Sequence, residues 1–362
     1  MIDSTRRGSR LPLRRKILFT TVALAIIAGP VWFVMEIFYR VWLDIPITGG
    51  VLYEDDLKVS QQELESRPQF KHFLKNFRLS DNPILFYEPR PGFSGSFVDA
   101  PSVKLSINSH GFRDYEYPVE KDADCFRIVV LGDSIVWGNR MPLEQTFPKR
   151  LEQMLTAASS QRFEVLNFGV SGYSTRQEVE LFRVRASRFG PDLVIVGYCL
   201  NDYDANSSVE SEAFKHLYYD IFSKSYLYDC LQRVFTSVVY RRTGYSIRDP
   251  QAQFNLRRQF ELLQQYCPNR KCVVVIFPGL HDFDNYYWED EHFRVWDALE
   301  GLNCEVLDLF DHFSRYRADQ LMIDPTDNTH PNSLGHKIAA EAVMDFLQTG
   351  ELIPIPVADT SE

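Results

Sequence analysis

The stretch FRIVVLGDS, residues 126–134, decides the fold of this chain of 362 residues. A run of Ile, Val and Leu without polar alternation predicts a strand that is covered on both faces, as in a parallel sheet. The run ends directly in Gly-Asp-Ser, which is typical of a turn into a helix. The next segment, LEQTFPKRLEQMLTAAS (143–159), has the apolar spacing of an amphipathic helix. Together they predict a strand followed by a helix.

The same alternation continues towards the C-terminus. Further strands are predicted at 163–170, 191–198, 272–278 and 304–310, and further helices at 174–188 and 333–348. Strands that alternate with helices predict an α/β domain with a five-stranded parallel sheet, and right-handed crossovers make it doubly wound. Residues 204–251 break the alternation, and we expect an insertion of mainly helical segments there.

Polar residues follow the predicted strands where chemistry collects in such folds, at the carboxyl edge of the sheet. Four segments lie there in chain order: Gly132-Asp133-Ser134, the glycine-containing loop 167–174, Asn201-Asp202, and the segment from Asp327 to His330. Each one alone is equally well an ordinary turn or helix cap. Together they bring a serine hydroxyl close to a histidine, the usual general base near neutral pH. Around the fourth segment, Asp324, Asp327 and His330 are too few ligands for a metal site, so we predict none.

These four segments resemble the sequence blocks of the SGNH hydrolase superfamily, also called GDSL-type esterases, over residues 126–348. The resemblance implies a flavodoxin-like doubly wound fold, a serine ester hydrolase and no cofactor. Residue by residue, it implies Ser134 as the nucleophile, His330 as the base and Asp327 as the residue that orients the histidine. It also implies an oxyanion hole made of the Ser134 N–H, the Gly172 N–H and the Asn201 side chain.

Two further features bear on this resemblance. Cys199 stands where the family usually has a glycine two residues before the asparagine, which affects how closely Asn201 approaches a bound oxyanion. The segment NSHGFR (108–113) resembles an element of membrane-anchored members of the superfamily. Packing is the only role that we predict for it.

The N-terminus has the charge and hydropathy pattern of a membrane anchor. Residues 1–16 hold six basic groups and one acid, although the whole chain has a net charge of −10. Residues 17–35 carry no charge, and the apolar character continues with aromatic residues to residue 43, about the length that spans a bilayer. A signal peptide would have a shorter apolar region before its cleavage site, so we favour an uncleaved anchor.

The basic residues before the span predict a cytoplasmic N-terminus and a catalytic domain in the periplasm or another extracytoplasmic space. The expected organisation is a basic stub (1–16), an anchor (17–43), a connector (44–125) with a short helix at 61–77, a hydrolase domain (126–350) and a tail (351–362). The six cysteines would then lie in a compartment where disulfides can form. We expect buried thiols, with a single disulfide bridge as the alternative.

The sequence therefore predicts a membrane-anchored serine esterase for an O-acyl ester, such as O-acetyl, on a glycan or cell-envelope molecule. An acyltransferase that modifies an exported polysaccharide would share these residues, as would a lysophospholipase or thioesterase acting on a lipid. A binding or assembly factor that retains the fold without catalysis is the alternative from another class. A nucleic-acid partner is not expected, because the predicted globular body is acidic.

Overall fold

The computed structural model describes residues 73–82, 84–200, 250–268 and 271–354. The predicted stub, the predicted anchor, Asn201 and nearly all of the predicted insertion lie outside these residues. Among the helices of the described part, none combines the length and apolar character needed to span a bilayer.

A five-stranded parallel sheet forms the centre of the structure. Its strands are β5 (Cys125–Gly132), β6 (Arg162–Gly169), β7 (Leu193–Cys199), β8 (Lys271–Phe277) and β9 (Glu305–Asp308). They lie in the order β6-β5-β7-β8-β9, and every neighbouring pair is parallel. The predicted α/β class and the five strands are confirmed. The chain order reverses direction beside β5, so the crevice next to this strand is the place where such sheets bind ligands.

Alternate residues of the strands enter two separate hydrophobic cores, one on each face of the sheet. On β5, for example, Val129 and Leu131 belong to one core, and Ile128 and Val130 to the other. This alternation explains why nearly every strand position is apolar. Helices cover both faces, so the doubly wound arrangement is also confirmed.

The helices of the described residues follow the predicted pattern closely. They are α1 (Phe73–Asn76), α2 (Ser134–Trp137), α3 (Phe147–Ala158), α4 (Thr175–Val184), α5 (Pro250–Tyr266), α6 (Glu289–Leu299), α7 (Phe310–Phe313), α8 (Ala318–Leu321) and α9 (Ser333–Thr349). The helix predicted at 143–159 is divided, because a 3-10 turn, Leu143–Gln145, precedes α3. The helix predicted at 174–188 likewise ends as α4 and continues as the 3-10 turn Ala186–Phe189.

The described part of the predicted connector forms two antiparallel pairs of short strands. β1 (Phe77–Leu79) pairs with β2 (Tyr87–Pro89), and β3 (Ser94–Ser96) pairs with β4 (Lys104–Ser106). The helix predicted at 61–77 is present in its described part only as α1, since residue 77 already belongs to β1. Leu85, Tyr87 and Leu105 are buried in the same core as the residues of β5 and β6. The connector therefore helps to build the body that carries the site.

Three glycines at the carboxyl ends of adjacent strands make room for α2. Gly132 on β5 is in register with Gly169 on β6 and Gly197 on β7. A Cβ atom at any of them would overlap α2, at Val136 or at the backbone next to Trp137. Since α2 begins with the serine of the predicted site, this close approach fixes the height of that serine above the sheet.

Four of the five cysteines in the described residues are buried. The buried thiols expected from the sequence are present. No disulfide bridge joins any two of these five cysteines.

We expect Gly169→Ala to lower the free energy of unfolding by about 3 kcal/mol, because the new methyl group meets backbone atoms that cannot move aside. Gly190→Ala is a matched control, since Gly190 has a φ of 59° but open space around its Cα. It should cost only about 1 kcal/mol from backbone strain. Urea denaturation measures both, and equal losses would contradict tight packing of α2 on the strand ends.

Candidate active site

Ser134 lies at the first position of α2, directly after β5. The preceding Asp133 caps the helix, since its carboxylate accepts a hydrogen bond of 2.8 Å from the Ile135 N–H. Gly138 ends the helix with a φ of 76°, and its N–H donates to the carbonyls of Ser134 and Ile135. The single turn of helix is therefore closed at both ends, and Ser134 is held at a fixed position with 8% of its surface exposed.

Asn167 fastens this turn to the neighbouring strand. The residue is fully buried on β6, and its Nδ2 donates a hydrogen bond of 2.9 Å to the carbonyl of Val136 in α2. Its Oδ1 accepts from the Gly169 N–H at 2.9 Å. The asparagine that opens the second predicted segment thus has a positioning contact with α2.

The segment from Asp327 to His330 is a tight turn before α9. The Asp327 carboxylate accepts hydrogen bonds from the N–H groups of Thr329 (3.1 Å) and His330 (3.0 Å). The loop after β8 holds the turn from the other side, because the Leu280 N–H donates to the Asn328 carbonyl at 2.7 Å. This turn brings the two side chains of the fourth predicted segment face to face.

Ser134, His330 and Asp327 form one continuous chain of hydrogen bonds. The distance between Ser134 Oγ and His330 Nε2 is 2.8 Å. The other ring nitrogen, Nδ1, lies 2.8 and 2.9 Å from the two carboxylate oxygens of Asp327. A proton on Nδ1 is held by the carboxylate in this arrangement, which leaves Nε2 free to accept from the serine hydroxyl.

The two acids of the site have opposite electrostatic environments. Burial acts to raise the pKa of Asp327, but the hydrogen bonds from the His330 side chain and backbone outweigh it and hold the pKa below its usual value. Burial dominates at Asp133 and raises its pKa, although the hydrogen bond from Ile135 opposes this. Asp327 is therefore the acid that stays ionised beside the imidazole.

Of the other two predicted oxyanion-hole residues, only Gly172 belongs to the part of the chain that the structure describes. Gly172 lies in the loop after β6 and has a φ of 83°, which favours glycine. Hydrogen bonds flank it, since the Tyr173 N–H donates to Val170 O (3.1 Å) and the Tyr87 hydroxyl to Ser171 O (2.8 Å). Asn201 lies outside the described residues. β7 ends at Cys199, which is buried.

Sequence reasoning missed two residues next to these side chains, both in the loop after α2. Asn139 Nδ2 is 3.5 Å from His330 Nε2 and donates to Ser171 Oγ at 3.1 Å. Arg140 forms an ion pair with Asp327. A Gly-Asn pair after the Gly-Asp-Ser helix marks a turn, but no local pattern shows that this turn meets residues nearly 190 positions later.

The segment 108–113 has a structural role beyond packing. The guanidinium of Arg113 donates hydrogen bonds to three backbone carbonyls, those of Trp137, Gly138 and Met141. Asn108 shapes the loop that presents it, since its Oδ1 accepts from the Phe112 N–H at 2.9 Å. Arg113 is 1% exposed, and burial lowers its pKa to about 10, so it stays charged at neutral pH. The segment therefore holds the C-terminal end of α2, the helix that carries Ser134, in place.

His336, in the first turns of α9, is a buried structural histidine. It is 1% exposed, and its Nδ1 accepts a hydrogen bond of 3.2 Å from the Phe147 N–H at the start of α3. Burial lowers its pKa to about 3. In the described residues, no group of three or more His, Cys, Asp or Glu side chains is arranged to hold a metal ion.

The model of the GDSL-like Lipase/Acylhydrolase family matches residues 130–338, more than half of the chain. The chain belongs to this family. The family recognised in the sequence is thus confirmed, and with it the prediction of a serine ester hydrolase. A comparison with curated protein sequences gave no match.

Several solved structures, two of them esterases, resemble the chain at low sequence identity. One is a two-domain esterase (CEX) active on acetylated mannans, with 14% identity, a TM-score of 0.43 and coverage of 66% of this chain and 52% of the esterase. The chain thus spans about half the length of that protein. Another is TesA (14% identity, TM-score 0.42, 62% and 98% covered). A third is a catalytic mutant of Axe2, an acetylxylan esterase from Geobacillus stearothermophilus (15%, 0.43, 61% and 93%).

We expect the free energy of unfolding to fall as the pH drops from about 6.5 towards 3. In that window the unfolded chain protonates His336, but the folded protein does not, because burial holds its pKa at about 3. His336→Gln keeps an acceptor for the Phe147 N–H and removes the titration. Urea denaturation at several pH values should therefore give a flatter dependence for the variant. An unchanged slope would assign the pH dependence to other groups.

Proposed function

We propose that the protein is a membrane-anchored serine esterase that cleaves O-acyl esters, short-chain ones such as O-acetyl, on a glycan or cell-envelope substrate. The observation that carries the proposal is the hydrogen-bond chain from Ser134 through His330 to Asp327. It lies at the carboxyl edge of the sheet, beside the strand where the chain order reverses. A hydroxyl that donates to an oriented imidazole is the usual activated nucleophile of acyl transfer.

In the acylation step, Ser134 Oγ attacks the ester carbonyl carbon, and its proton passes to His330 Nε2. The carbonyl oxygen becomes an oxyanion, which we assign to the N–H groups of Ser134 and Gly172 and to the Asn201 side chain. When the tetrahedral intermediate collapses, the alcohol leaves with the proton from His330 and an acyl-serine remains. Each oxyanion donor of this kind is typically worth about 10²–10³ in turnover.

In the deacylation step, a water molecule gives a proton to His330 and its oxygen attacks the acyl carbon. The carboxylic acid is released, and Ser134 takes back the proton. Asp327 stays ionised throughout and stabilises the imidazolium, since its pKa is held below the usual value. A sugar hydroxyl in the place of this water would make the protein an O-acyltransferase.

The place of action is inferred from the N-terminal sequence. Residues 1–16 are basic on balance, and residues 17–43 are apolar apart from Glu36 and Arg40, so we assign a single span with the N-terminus in the cytoplasm. The hydrolase domain would then face the periplasm or another extracytoplasmic space. This topology agrees with a substrate in the cell envelope.

Ser134→Ala in the full-length protein should lower the hydrolysis of p-nitrophenyl acetate by about 10⁴-fold or more, because alanine has no hydroxyl to attack the ester. It should also abolish labelling by a fluorophosphonate probe. Ser187→Ala, on the 3-10 turn after α4, is the matched control and should behave as wild type. Full activity of Ser134→Ala would disprove the assignment of the nucleophile.

Asp327→Asn should lower kcat by about 10³–10⁴-fold, because an amide cannot hold the Nδ1 proton and stabilise the imidazolium in the same way. The fold should be retained, since the amide oxygen can still accept from the N–H groups of Thr329 and His330. The measurement is steady-state kinetics together with a thermal unfolding curve. A variant with wild-type kcat would remove Asp327 from the catalytic group.

Product analysis separates the esterase from the transferase. The protein is incubated with an acyl donor and a candidate glycan, and mass spectrometry then detects either free carboxylic acid or acylated glycan. Acid as the main product supports the esterase. Acylated glycan that depends on Ser134 would replace hydrolysis with transfer as the function, and preference for long acyl chains would favour a lipid substrate.

A further inference from the structure

The loop from Gly138 to Met141 connects the helix of Ser134 to the rest of the site. Its backbone is fixed from outside by Arg113, whose buried guanidinium donates to carbonyls at both ends of the loop. The two side chains in the middle of the loop, those of Asn139 and Arg140, point to His330 and Asp327 respectively. The loop therefore connects the nucleophile Ser134 to His330 and Asp327.

Arg140 has an unusual backbone conformation for its residue type. Its φ is 58°, in the left-handed region that residues with a Cβ rarely adopt. Such strain persists only where surrounding contacts enforce it, and it concentrates at functional sites. Here the enforcing contacts are the hydrogen bonds from Arg113 to the loop backbone and the ion pairs of the Arg140 side chain.

The guanidinium of Arg140 is shared between two carboxylates. One nitrogen pairs with Asp327 Oδ2, the same oxygen that lies 2.8 Å from His330 Nδ1. The Nε lies 3.5 Å from Asp99, a residue of the connector. Only 20% of the Arg140 side chain is exposed, compared with 65% for Asp99. Most of the guanidinium is thus turned towards the protein and not towards a substrate.

We propose that Arg140 is a positioning residue that fixes the Asp327 carboxylate against the imidazole of His330. The inference rests on the proposed function, because it assigns a role within the same catalytic group. Arg140 acts through Asp327 and does not touch the reacting atoms.

The Arg140 guanidinium pairs with the same carboxylate oxygen that contacts His330 Nδ1, so it places a positive charge beside the imidazole. The ion pair also restricts rotation of the carboxylate, which is otherwise held by the turn amides and by the His330 ring. The titratable and charged groups around His330 are Asp327, Asp133, Arg140 and the buried His336, with Asp324 near Asp327, and Arg113 and Arg150 near His336.

The test measures the rate at which a fluorophosphonate labels Ser134 in the full-length protein as a function of pH. This readout needs the activated nucleophile but no knowledge of the natural substrate. In Arg140→Gln, the acid limb of the profile should move to higher pH, because a positive charge beside the imidazole is gone. The plateau rate should fall by about three- to tenfold, because the carboxylate is held less firmly.

Two further variants distinguish charge from structure. Arg140→Lys keeps the positive charge, so its acid limb should stay near that of wild type. Arg162→Gln is the matched control, since Arg162 also pairs with two carboxylates, those of Asp122 and Glu164, but at the amino end of β6. Its profile should equal that of wild type. Thermal unfolding curves establish that each variant is folded.

Several results would overturn the proposal. A wild-type profile in Arg140→Gln would do so, as would an equal shift in Arg140→Lys. With an identified ester substrate, a rise in KM at constant kcat and unchanged pH profile would instead make Arg140 a substrate-binding group. If wild-type Ser134 does not react at all, the proposed function fails, and this inference with it. Labelling of the wild type with an unchanged Arg140→Gln profile overturns only the inference.

Discussion

The close approach of α2 to the ends of three strands is the constraint on which the site depends. Glycines 132, 169 and 197 lie in register on adjacent strands, and none leaves room for a side chain beneath the helix. The helix is a single turn, so it has few hydrogen bonds of its own and takes its position from this contact. Asn167 and Arg113 then hold its carbonyl groups from the side.

A chain of contacts carries this position to the other members of the catalytic group. α2 sets the height of Ser134, and the loop that follows it contacts the histidine and the aspartate. The turn at 327–330 is held by its own amides and by the loop after β8. Separate parts of the chain thus meet at one edge of the sheet. Parallel strands make this possible because all their carboxyl ends lie at that edge.

The residues before β5, which the sequence predicts to be a connector, help to position the site. Arg113 is buried and donates to three carbonyls, and the neighbouring Asp114 accepts from the Asn167 N–H at 2.7 Å and pairs with Lys149. Breaking such a buried network leaves unpaired charges and carbonyls, which is costly. Asp99 reaches the catalytic group itself through Arg140. The described residues before β5 and the sheet therefore pack as one structural unit.

The five strands, most helices and the family could be predicted from the sequence, because they follow from local hydrophobic periodicity and from short motifs at strand ends. Ser134, Asp327 and His330 could be named for the same reason, since each lies in such a motif. Arg113, Asn139 and Arg140 could not be placed, because their partners depend on crossovers and loop conformations that no local pattern encodes. Ser134 and His330 are 196 residues apart, and only the packed sheet brings their side chains within 2.8 Å.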